Sequence, residues 1–308
     1  MGLSKSIKYF AILAGIISPT LGAFALVPPQ ITGESYREGL VSVDFPKASP
    51  SRGRALSSAG GGTRGGGECT KDTLTGKRKV PLVAMLTDKG RQTEASNVLL
   101  YGKTESSAPT MYVYIPANSA QSAEFVVKTA EDEYIINQEF DLPEQNTGWI
   151  RLSLPNQSLE KNKSYEWELA LICDIKDRNQ DTYISGTIER TILSREQKNK
   201  LEPLKQEQQQ NALAIERLER QQSQNSLDWR EIALLERLKQ KQEANLIKQA
   251  DLYAEFQFVN ESLAALAKLH DSNQNSWKYE WRELLNSIGI TEKQITNADF
   301  VANVELEN

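Results

Sequence analysis

Histidine and cysteine are scarce in this chain of 308 residues, which contains one histidine, His270, and two cysteines, Cys69 and Cys173. Most catalytic triads need a histidine beside the nucleophile, and zinc shells need several histidine or cysteine ligands. His270 has no second histidine to act with and stands beside Asp271 at the end of an amphipathic segment, so we interpret it as a helix-terminal side chain. The sequence therefore predicts no catalytic residues and no enzyme activity.

Long hydrophobic runs are also missing. The N-terminal apolar stretch Tyr9–Ile17 is followed by Pro19, which breaks it before the roughly 20 residues that a membrane-spanning helix needs. Lys5 and Lys8 precede this stretch, and Ala23-Phe24-Ala25 follows it with the small-x-small pattern of a cleavage site. We predict a signal peptide at residues 1–25, export to the periplasm or cell envelope, and no transmembrane span after cleavage; an uncleaved anchor is the alternative.

The composition, with 39% hydrophobic and 25% charged residues, is that of a soluble globular chain. The formal net charge is −5, and loss of Lys5 and Lys8 with the signal peptide would make it −7. An acidic chain has no general electrostatic attraction to nucleic acid. We therefore expect no nucleic-acid partner.

If the chain is exported, its two cysteines are expected to form a disulfide, because an oxidising compartment favours a disulfide over two thiols. Cys69 with Cys173 is the one intramolecular pairing available. Closing a loop of this length would stabilise the fold by about 4 to 5 kcal/mol in the chain-entropy model. Two unpaired thiols, or an intermolecular bond, are the alternatives.

Residues 26–79 show no sustained hydrophobic period and include the glycine-rich tract Gly60–Gly67. Such a segment buries too little apolar surface to offset its backbone entropy. We therefore predict a flexible arm at residues 26–79.

The period changes to two between residues 80 and 193, where β-branched and aromatic residues alternate with polar ones. The predicted strands are Val80–Leu86, Val98–Gly102, Thr110–Ile115, Ala123–Lys128, Tyr134–Phe140, Trp149–Leu154, Tyr165–Cys173 and Thr182–Leu193. The spacing from Leu159 to Tyr165 matches a tyrosine corner, in which the tyrosine hydroxyl bonds to upstream backbone. The predicted fold class is α+β: an antiparallel, immunoglobulin-like β-sandwich of about eight strands, followed by an α-helical C-terminal region.

Residues 194–308 form that helical region, with a glutamine-rich insertion at about 206–242. Polar residues such as Gln208 and Asn211 interrupt the apolar seam, so we expect a long helix broken near Ser223–Ser226 and not a sustained coiled coil. Further apolar stripes at helical spacing run from Leu246 to Leu266 and from Trp277 to Ile288.

One loop carries a candidate metal site. Between the strand ending at Cys173 and the next strand lie four oxygen-bearing side chains: Asp174, Asp177, Asn179 and Asp181. Oxygen ligands at alternate positions are typical of calcium loops. The loop departs from an EF-hand, because Thr182 replaces the turn glycine and Ile188 replaces the bidentate glutamate. A weak calcium site and a plain polar turn both remain open, and no other cofactor is expected.

A series of motifs in order resembles a known family. The motifs are Arg64-Gly65-Gly66-Gly67-Glu68-Cys69, Pro109–Pro116, Ala123–Val126, Tyr165-x-Trp167 through Cys173-Asp174, Gly186-x-Ile188-x-Arg190, and Leu252–Glu255. The chain resembles an exported cyanobacterial family catalogued as domain of unknown function 928, over about residues 60–289 apart from the glutamine-rich stretch. Both cysteines fall on the family's cysteine positions, which supports the disulfide, but the resemblance supplies no activity, substrate or catalytic residue.

Together these features predict a non-catalytic envelope protein. The sandwich would present a surface, and the helical part would dock on the sandwich or on a partner, which is an unknown envelope protein or a glycan. A calcium-dependent glycan-binding sandwich that uses the Asp174–Asp181 loop is one alternative. A carboxylate-based hydrolase of envelope glycans is another, since its two acids need not be neighbours in the chain.

Overall fold

The computed structural model describes residues 62–63, 73–74, 78–79, 82–85, 87–88, 100–144, 147–224, 226–272 and 276–307. The predicted signal peptide lies outside these residues. So does most of the predicted arm at 26–79; the six described residues of that arm form short strands, where the sequence predicted no structure.

The described residues form β-strands followed by helices, with one more strand at the end. In chain order the strands are β1 (Gly62–Thr63), β2 (Thr73–Leu74), β3 (Arg78–Lys79), β4 (Val83–Ala84), β5 (Thr87–Asp88), β6 (Leu100–Thr104), β7 (Thr110–Ile115), β8 (Ser122–Lys128), β9 (Tyr134–Asp141), β10 (Gly148–Ser153), β11 (Ser164–Ile172), β12 (Thr182–Arg190) and β13 (Phe300–Glu305). Each of the eight predicted strands overlaps one of these, namely β4 or one of β6 to β12.

The strands form two mostly antiparallel sheets and a separate β2–β3 ribbon. The first sheet has the order β5-β6-β12-β11-β8-β9, with β1 also paired to β12, and the second has the order β13-β10-β7-β4. Two pairs, β6 with β12 and β10 with β13, are parallel. The expectation of purely antiparallel pairing is therefore wrong at these two places.

One hydrophobic core is shared by the two sheets. Alternate residues of β11, including Tyr165, Trp167 and Leu169, are buried in it, as the alternation in the sequence predicted. Met111, Val113 and Ile115 of β7 enter the same core from the second sheet. The tyrosine corner is confirmed, because the Glu160 backbone N–H donates to the Tyr165 hydroxyl at 2.8 Å.

The chain after β12 forms helices α1 (Arg195–Ser223), α2 (Trp229–Glu255), α3 (Val259–Asp271), α4 (Trp277–Ser287) and α5 (Lys293–Thr296). The predicted break is confirmed, since α1 ends at Ser223 and α2 begins at Trp229. The apolar stripe from Leu246 to Leu266 spans the end of α2 and most of α3. The stripe from Trp277 to Ile288 forms α4. β13 lies inside the segment predicted to be helical, so that prediction is wrong for Phe300–Glu305.

Helices α2 to α5 cover the outer side of the second sheet. Tyr112 and Tyr114, which alternate with the inward residues of β7, join a second core with Trp149 and with residues of these helices. Trp281 of α4 lies at the centre of the aromatic contacts, with ring centroids 5.5 Å from Trp149 and 5.8 Å from Tyr112. The helical part therefore docks on the sheets, one of the two outcomes that the sequence left open.

His270 ends up in this aromatic layer. It lies one residue before the end of α3, and its ring contacts those of Trp277 at 4.7 Å and Phe300 at 5.0 Å. Its Nδ1 is 3.2 Å from an Arg151 guanidinium nitrogen and 3.1 Å from Asp271. The side chain is helix-terminal as predicted, and its described contacts combine aromatic packing with polar contacts to Arg151 and Asp271.

Candidate interaction surface

The loop predicted as a calcium site is held by the protein's own donors. Asp181 accepts hydrogen bonds from the Arg178 guanidinium and from the Cys173 backbone N–H at 3.1 Å. Asp177 caps the short 3₁₀ turn that begins at Arg178, and bonds from the Gln180 amide and from Asn179 lower the pKa of its carboxyl.

The third acidic side chain of this loop, Asp174, is hydrogen-bonded to the backbone. Asp174 accepts from the Lys176 backbone N–H at 2.8 Å, as in a polar turn. Among the described residues no three histidine, cysteine, aspartate or glutamate side chains converge as metal ligands. Arg178 already brings a positive group to Asp181, and calcium binding here stays a prediction.

Only one of the two cysteines lies in the part of the chain that the structure describes. Cys173 directly follows β11 and packs, half-buried, against the core between the sheets. Cys69 lies outside the described residues. The Cys69–Cys173 disulfide therefore stays a prediction.

A polar groove of about 400 Å³ crosses the outer face of the first sheet. Its side chains include Glu124, Lys128, Tyr134, Asn137, Glu166, Glu168, Ser185 and Thr187. One of its three glutamates, Glu124, bonds to Arg178 at 2.8 Å. Two-residue spacing puts Glu166 and Glu168 on one face of β11, so this groove gathers the acidic side chains that the hydrolase alternative would use, whereas the calcium alternative concerns the Asp174–Asp181 loop.

Helices α1 and α2 form an antiparallel hairpin. The N-terminus of each helix is fixed by a local capping motif. Ser194 Oγ accepts from the Gln197 N–H at 3.2 Å, while Gln197 Oε1 accepts from the Ser194 N–H at 2.8 Å. Asp228 and Glu231 form the same reciprocal arrangement at the start of α2. Both are capping boxes, and the spacing Ser-x-x-Gln and Asp-x-x-Glu could have revealed them in the sequence.

Polar pairs join the two helices along the glutamine-rich insertion. Gln249 donates to Gln208 at 2.9 Å, and Lys239 pairs with Glu219 at 2.7 Å. Asn211 is buried between them, and its amide nitrogen has no hydrogen-bond partner among the described residues. The polar seam residues therefore face the partner helix of the hairpin, which the sequence did not predict.

The distal part of this hairpin, residues 206–242, is termed the hairpin tip. In the described part of the chain eight large hydrophobic side chains are exposed, and four of them lie in the tip. These are Leu213, Trp229, Ile232 and Leu234, with exposed fractions of 63%, 72%, 40% and 47%. Three of the four, Trp229, Ile232 and Leu234, lie within the first six residues of α2, and exposed large apolar side chains grouped on one segment mark interaction surfaces more often than scattered ones do. The tip is therefore the best candidate for an interaction surface.

The base of the hairpin is anchored to the sheets at the loop that follows β6. Glu105 accepts hydrogen bonds from the Tyr253 hydroxyl of α2 and from Lys205 of α1, the latter at 2.7 Å. Burial, together with the bond to Glu105, raises the pKa of Tyr253. One acidic side chain on the sheet side thus holds both helices of the hairpin.

Helix α3 is anchored at the same loop by Glu261. Its Oε1 accepts from the Thr104 hydroxyl at 2.5 Å and from the backbone N–H groups of Glu105 and Ser106 at 2.7 Å and 3.3 Å. Its Oε2 is buried and has no partner among the described residues. Burial raises the pKa of Glu261 to about 7, because the desolvation of the charged form outweighs these bonds.

The comparison with known families agrees with the resemblance found in the sequence. The family profile described as Domain of Unknown Function (DUF928) matches residues 59–218, which is more than half of the chain. No curated protein and no solved structure matches the chain. Among the described residues, no helix is both long and apolar enough to cross a membrane. The family match carries no activity with it, but it is sufficient for one conclusion: this chain belongs to the Domain of Unknown Function (DUF928) family.

Proposed function

We propose that this chain is an exported, non-catalytic protein-interaction module of the cell envelope, and that the hairpin tip is its recognition surface. The observation that carries the proposal is the exposure of Leu213, Trp229, Ile232 and Leu234 on two helices. The occupant is a helical surface of another protein molecule, because Trp229 and Ile232, three residues apart on α2, form a short apolar stripe of the kind that packs against another helix.

Trp229 is the anchor of this surface. Tryptophan is enriched among the residues that dominate binding energy at protein interfaces, and Trp229 is the most exposed of the four. Ile232 lies three residues further on and therefore shares its side of α2. Arg230 stacks over the Trp229 ring at 5.2 Å from its centroid, which supplies a charged rim beside the apolar anchor.

The two sheets act in this proposal as a rigid support for the hairpin. We take them to be a sandwich of the immunoglobulin-like type, which the shared core and the Tyr165 corner support. The glycan alternatives have less support, since Arg178 engages both the Asp181 loop and Glu124 of the groove.

The envelope location rests on the N-terminal residues Lys5 to Ala25. N-terminal sequencing of the protein recovered from its native cells tests this location. A mature chain that begins at Leu26 supports export, whereas a cytoplasmic chain that begins at Met1 or Gly2 refutes it.

Affinity capture with a matched pair of variants tests the recognition surface. The tip variant carries Leu213→Ser, Trp229→Ser and Ile232→Ser. The control carries Tyr134→Ser, Ile175→Ser and Ile192→Ser, three similarly exposed side chains outside the tip. After crosslinking in intact cells, we expect the wild type and the control to capture the same identified partner. The amount of that partner captured by the tip variant should be lower by about tenfold or more.

A partner retained equally by all three proteins would contradict the proposal, and so would the absence of any identified partner. A second copy of this chain counts as a partner in this experiment. Because all six side chains are at least 40% exposed, the substitutions should leave the fold intact, which circular dichroism checks.

A further inference from the structure

We infer that the edge strand β9 (Tyr134–Asp141) is a second interaction site, which binds an extended segment of a different protein as an added antiparallel strand of the first sheet. The occupant is a segment in which basic residues alternate with apolar residues. This site lies on the first sheet and not on the hairpin tip, so the inference goes beyond the proposed function and does not depend on it.

β9 is the longest edge strand among the described residues. The first sheet ends in β5 and β9, and the second ends in β13 and β4. β4 and β5 have two residues each, β13 has six, and β9 has eight. In the part of the chain that the structure describes, β9 pairs with β8 alone. Its other side is therefore a row of backbone groups on which a further strand can form.

The hydrogen bonds between β8 and β9 show which backbone groups face this open edge. The Leu142 N–H donates to the Gln121 carbonyl at 2.8 Å, which makes these two residues a hydrogen-bonded pair. Such pairs recur at every second residue of an antiparallel ladder, and the register is regular except at the start of β9. The alternate residues Asn137, Glu139 and Asp141 therefore direct their N–H and C=O groups away from β8.

β9 also lacks the features that commonly block an edge strand, which are proline, lysine and a bulge. Its sequence contains neither proline nor lysine. Its one register irregularity lies at its first residues, opposite Val127 and Lys128. The backbone of Ile136–Asp141 is therefore regular enough to pair with a partner strand.

The side chains of β9 specify the partner. Asn137, Glu139 and Asp141 are exposed on the outer face, whereas Ile136 and Phe140 face the core between the sheets. Within the described part of the chain, no lysine or arginine pairs with Glu139 or Asp141. Because directly opposite residues of neighbouring strands interact, an added strand gains from basic residues on the outer face and apolar residues on the inner face.

The same two carboxylates disfavour a second copy of this chain as the occupant. In a symmetric antiparallel pair of β9 strands, Glu139 and Asp141 of both copies would lie on one face along a short seam. Like charges at such positions destabilise a pair of strands. A basic segment meets the edge with the opposite charge.

Fluorescence anisotropy with synthetic peptides tests the inference on the full mature chain. The probe alternates lysine and valine over the length of β9, and two matched peptides carry N-methyl groups on every lysine or on every valine. With lysine on the outer face, the lysine N–H groups point at β9 and the valine N–H groups point away. We expect the N-methyl-valine peptide to bind within about threefold of the probe. The N-methyl-lysine peptide should bind about tenfold more weakly or worse, because it alone loses the donors to β9.

Two substitutions at one position supply the control on the protein. Asn137→Pro removes an N–H that faces the open edge, where proline is compatible with the β8–β9 ladder, whereas Asn137→Ala keeps that N–H. We expect Asn137→Pro to weaken probe binding by about tenfold or more, and Asn137→Ala to change it by less than about threefold. Circular dichroism checks the fold of both variants.

A charge reversal tests the side chains without altering the backbone, and it decides the matter if Asn137→Pro fails to fold. Glu139→Lys with Asp141→Lys should bind the probe about tenfold more weakly and should prefer a peptide that alternates glutamate and valine.

A wild type that does not bind the probe overturns the inference. Equal binding of the two N-methylated peptides, or unchanged binding by the charge-reversal variant, overturns it too. The tip variant should bind the probe as the wild type does, and a loss there would place the site on the tip and contradict the inference. None of these outcomes touches the proposed function, which partner capture through the tip decides.

Discussion

Replacing Trp281 with alanine is expected to lower the free energy of unfolding by about 3 to 5 kcal/mol, the range for removal of a fully buried tryptophan. Trp281 is 1% exposed and joins α4 to the second sheet. Its ring lies in edge-to-face contact with Trp149, Tyr112 and Phe300, at centroid distances of 5.5, 5.8 and 5.0 Å. Truncation would leave a cavity between the helices and the sheet.

The loss of unfolding free energy on Trp281→Ala should come from lost packing contacts alone. The indole N–H of Trp281 has no hydrogen-bond partner among the described residues, so no hydrogen bond to them is lost. Trp229→Ala is the matched control, since it makes the same chemical change at a side chain that is 72% exposed. Denaturant unfolding should place the control within about 0.5 kcal/mol of the wild type. A Trp281→Ala change of less than about 1 kcal/mol would contradict the docking of α4 on the sheet.

The stability of the protein should fall as the pH rises from about 4.5 to about 7, and Glu261→Gln should remove that fall. The pKa of Glu261 is raised from 4.5 to about 7 in the folded protein, so the folded state holds a proton that the unfolded state has already lost in this window. Stability is therefore fully present below the unfolded pKa and decreases as the pH rises through the folded pKa. The size of this effect is about 3 kcal/mol.

The surroundings of Glu261 explain why glutamine should substitute well. The bonded oxygen, Oε1, accepts all three hydrogen bonds from residues 104–106, and an amide oxygen accepts them equally. The ionisable groups that interact electrostatically with Glu261 include Glu105, Tyr253 and Tyr112, and all three remain in the variant.

Unfolding at several pH values measures the difference between wild type and variant. We expect the wild type to lose about 3 kcal/mol relative to Glu261→Gln between pH 4 and pH 8. Glu196→Gln is the control, because the Glu196 side chain is 83% exposed, and its difference from wild type should stay flat. A flat difference for Glu261→Gln too would contradict the burial of this carboxylate beneath the β6 loop.

The strands and helices could be predicted because each carries its own periodicity. Tyr165, Trp167 and Leu169 alternate with polar residues, and that alternation alone places them on one face. Trp277, Trp281 and Leu284 recur at helical spacing and form the buried side of α4. The tyrosine corner was predictable for a different reason, namely that its two partners, Glu160 and Tyr165, are only five residues apart in the chain.

Pairings between distant segments could not be predicted. β13 pairs with β10 in parallel, and nothing in the local sequence of Phe300–Glu305 indicates that β10 is its partner. The anchor between Glu261 and the β6 loop joins residues 156 positions apart in the chain. Gln208 and Asn211 look like defects of a coiled coil in the sequence, yet Gln208 bonds to Gln249 across the hairpin. Which polar residues meet is decided by tertiary packing.

Site-specific photocrosslinking in intact cells can show whether the hairpin tip contacts another protein molecule. A photoreactive phenylalanine analogue is placed at position 232 in the tip, and at position 175 as the control, where the native isoleucine is 76% exposed on the Asp174–Asp181 loop. We expect a crosslinked peptide of one identified protein, a second copy included, from position 232 and none from position 175. Crosslinks from position 175 alone, or from neither position, would contradict it.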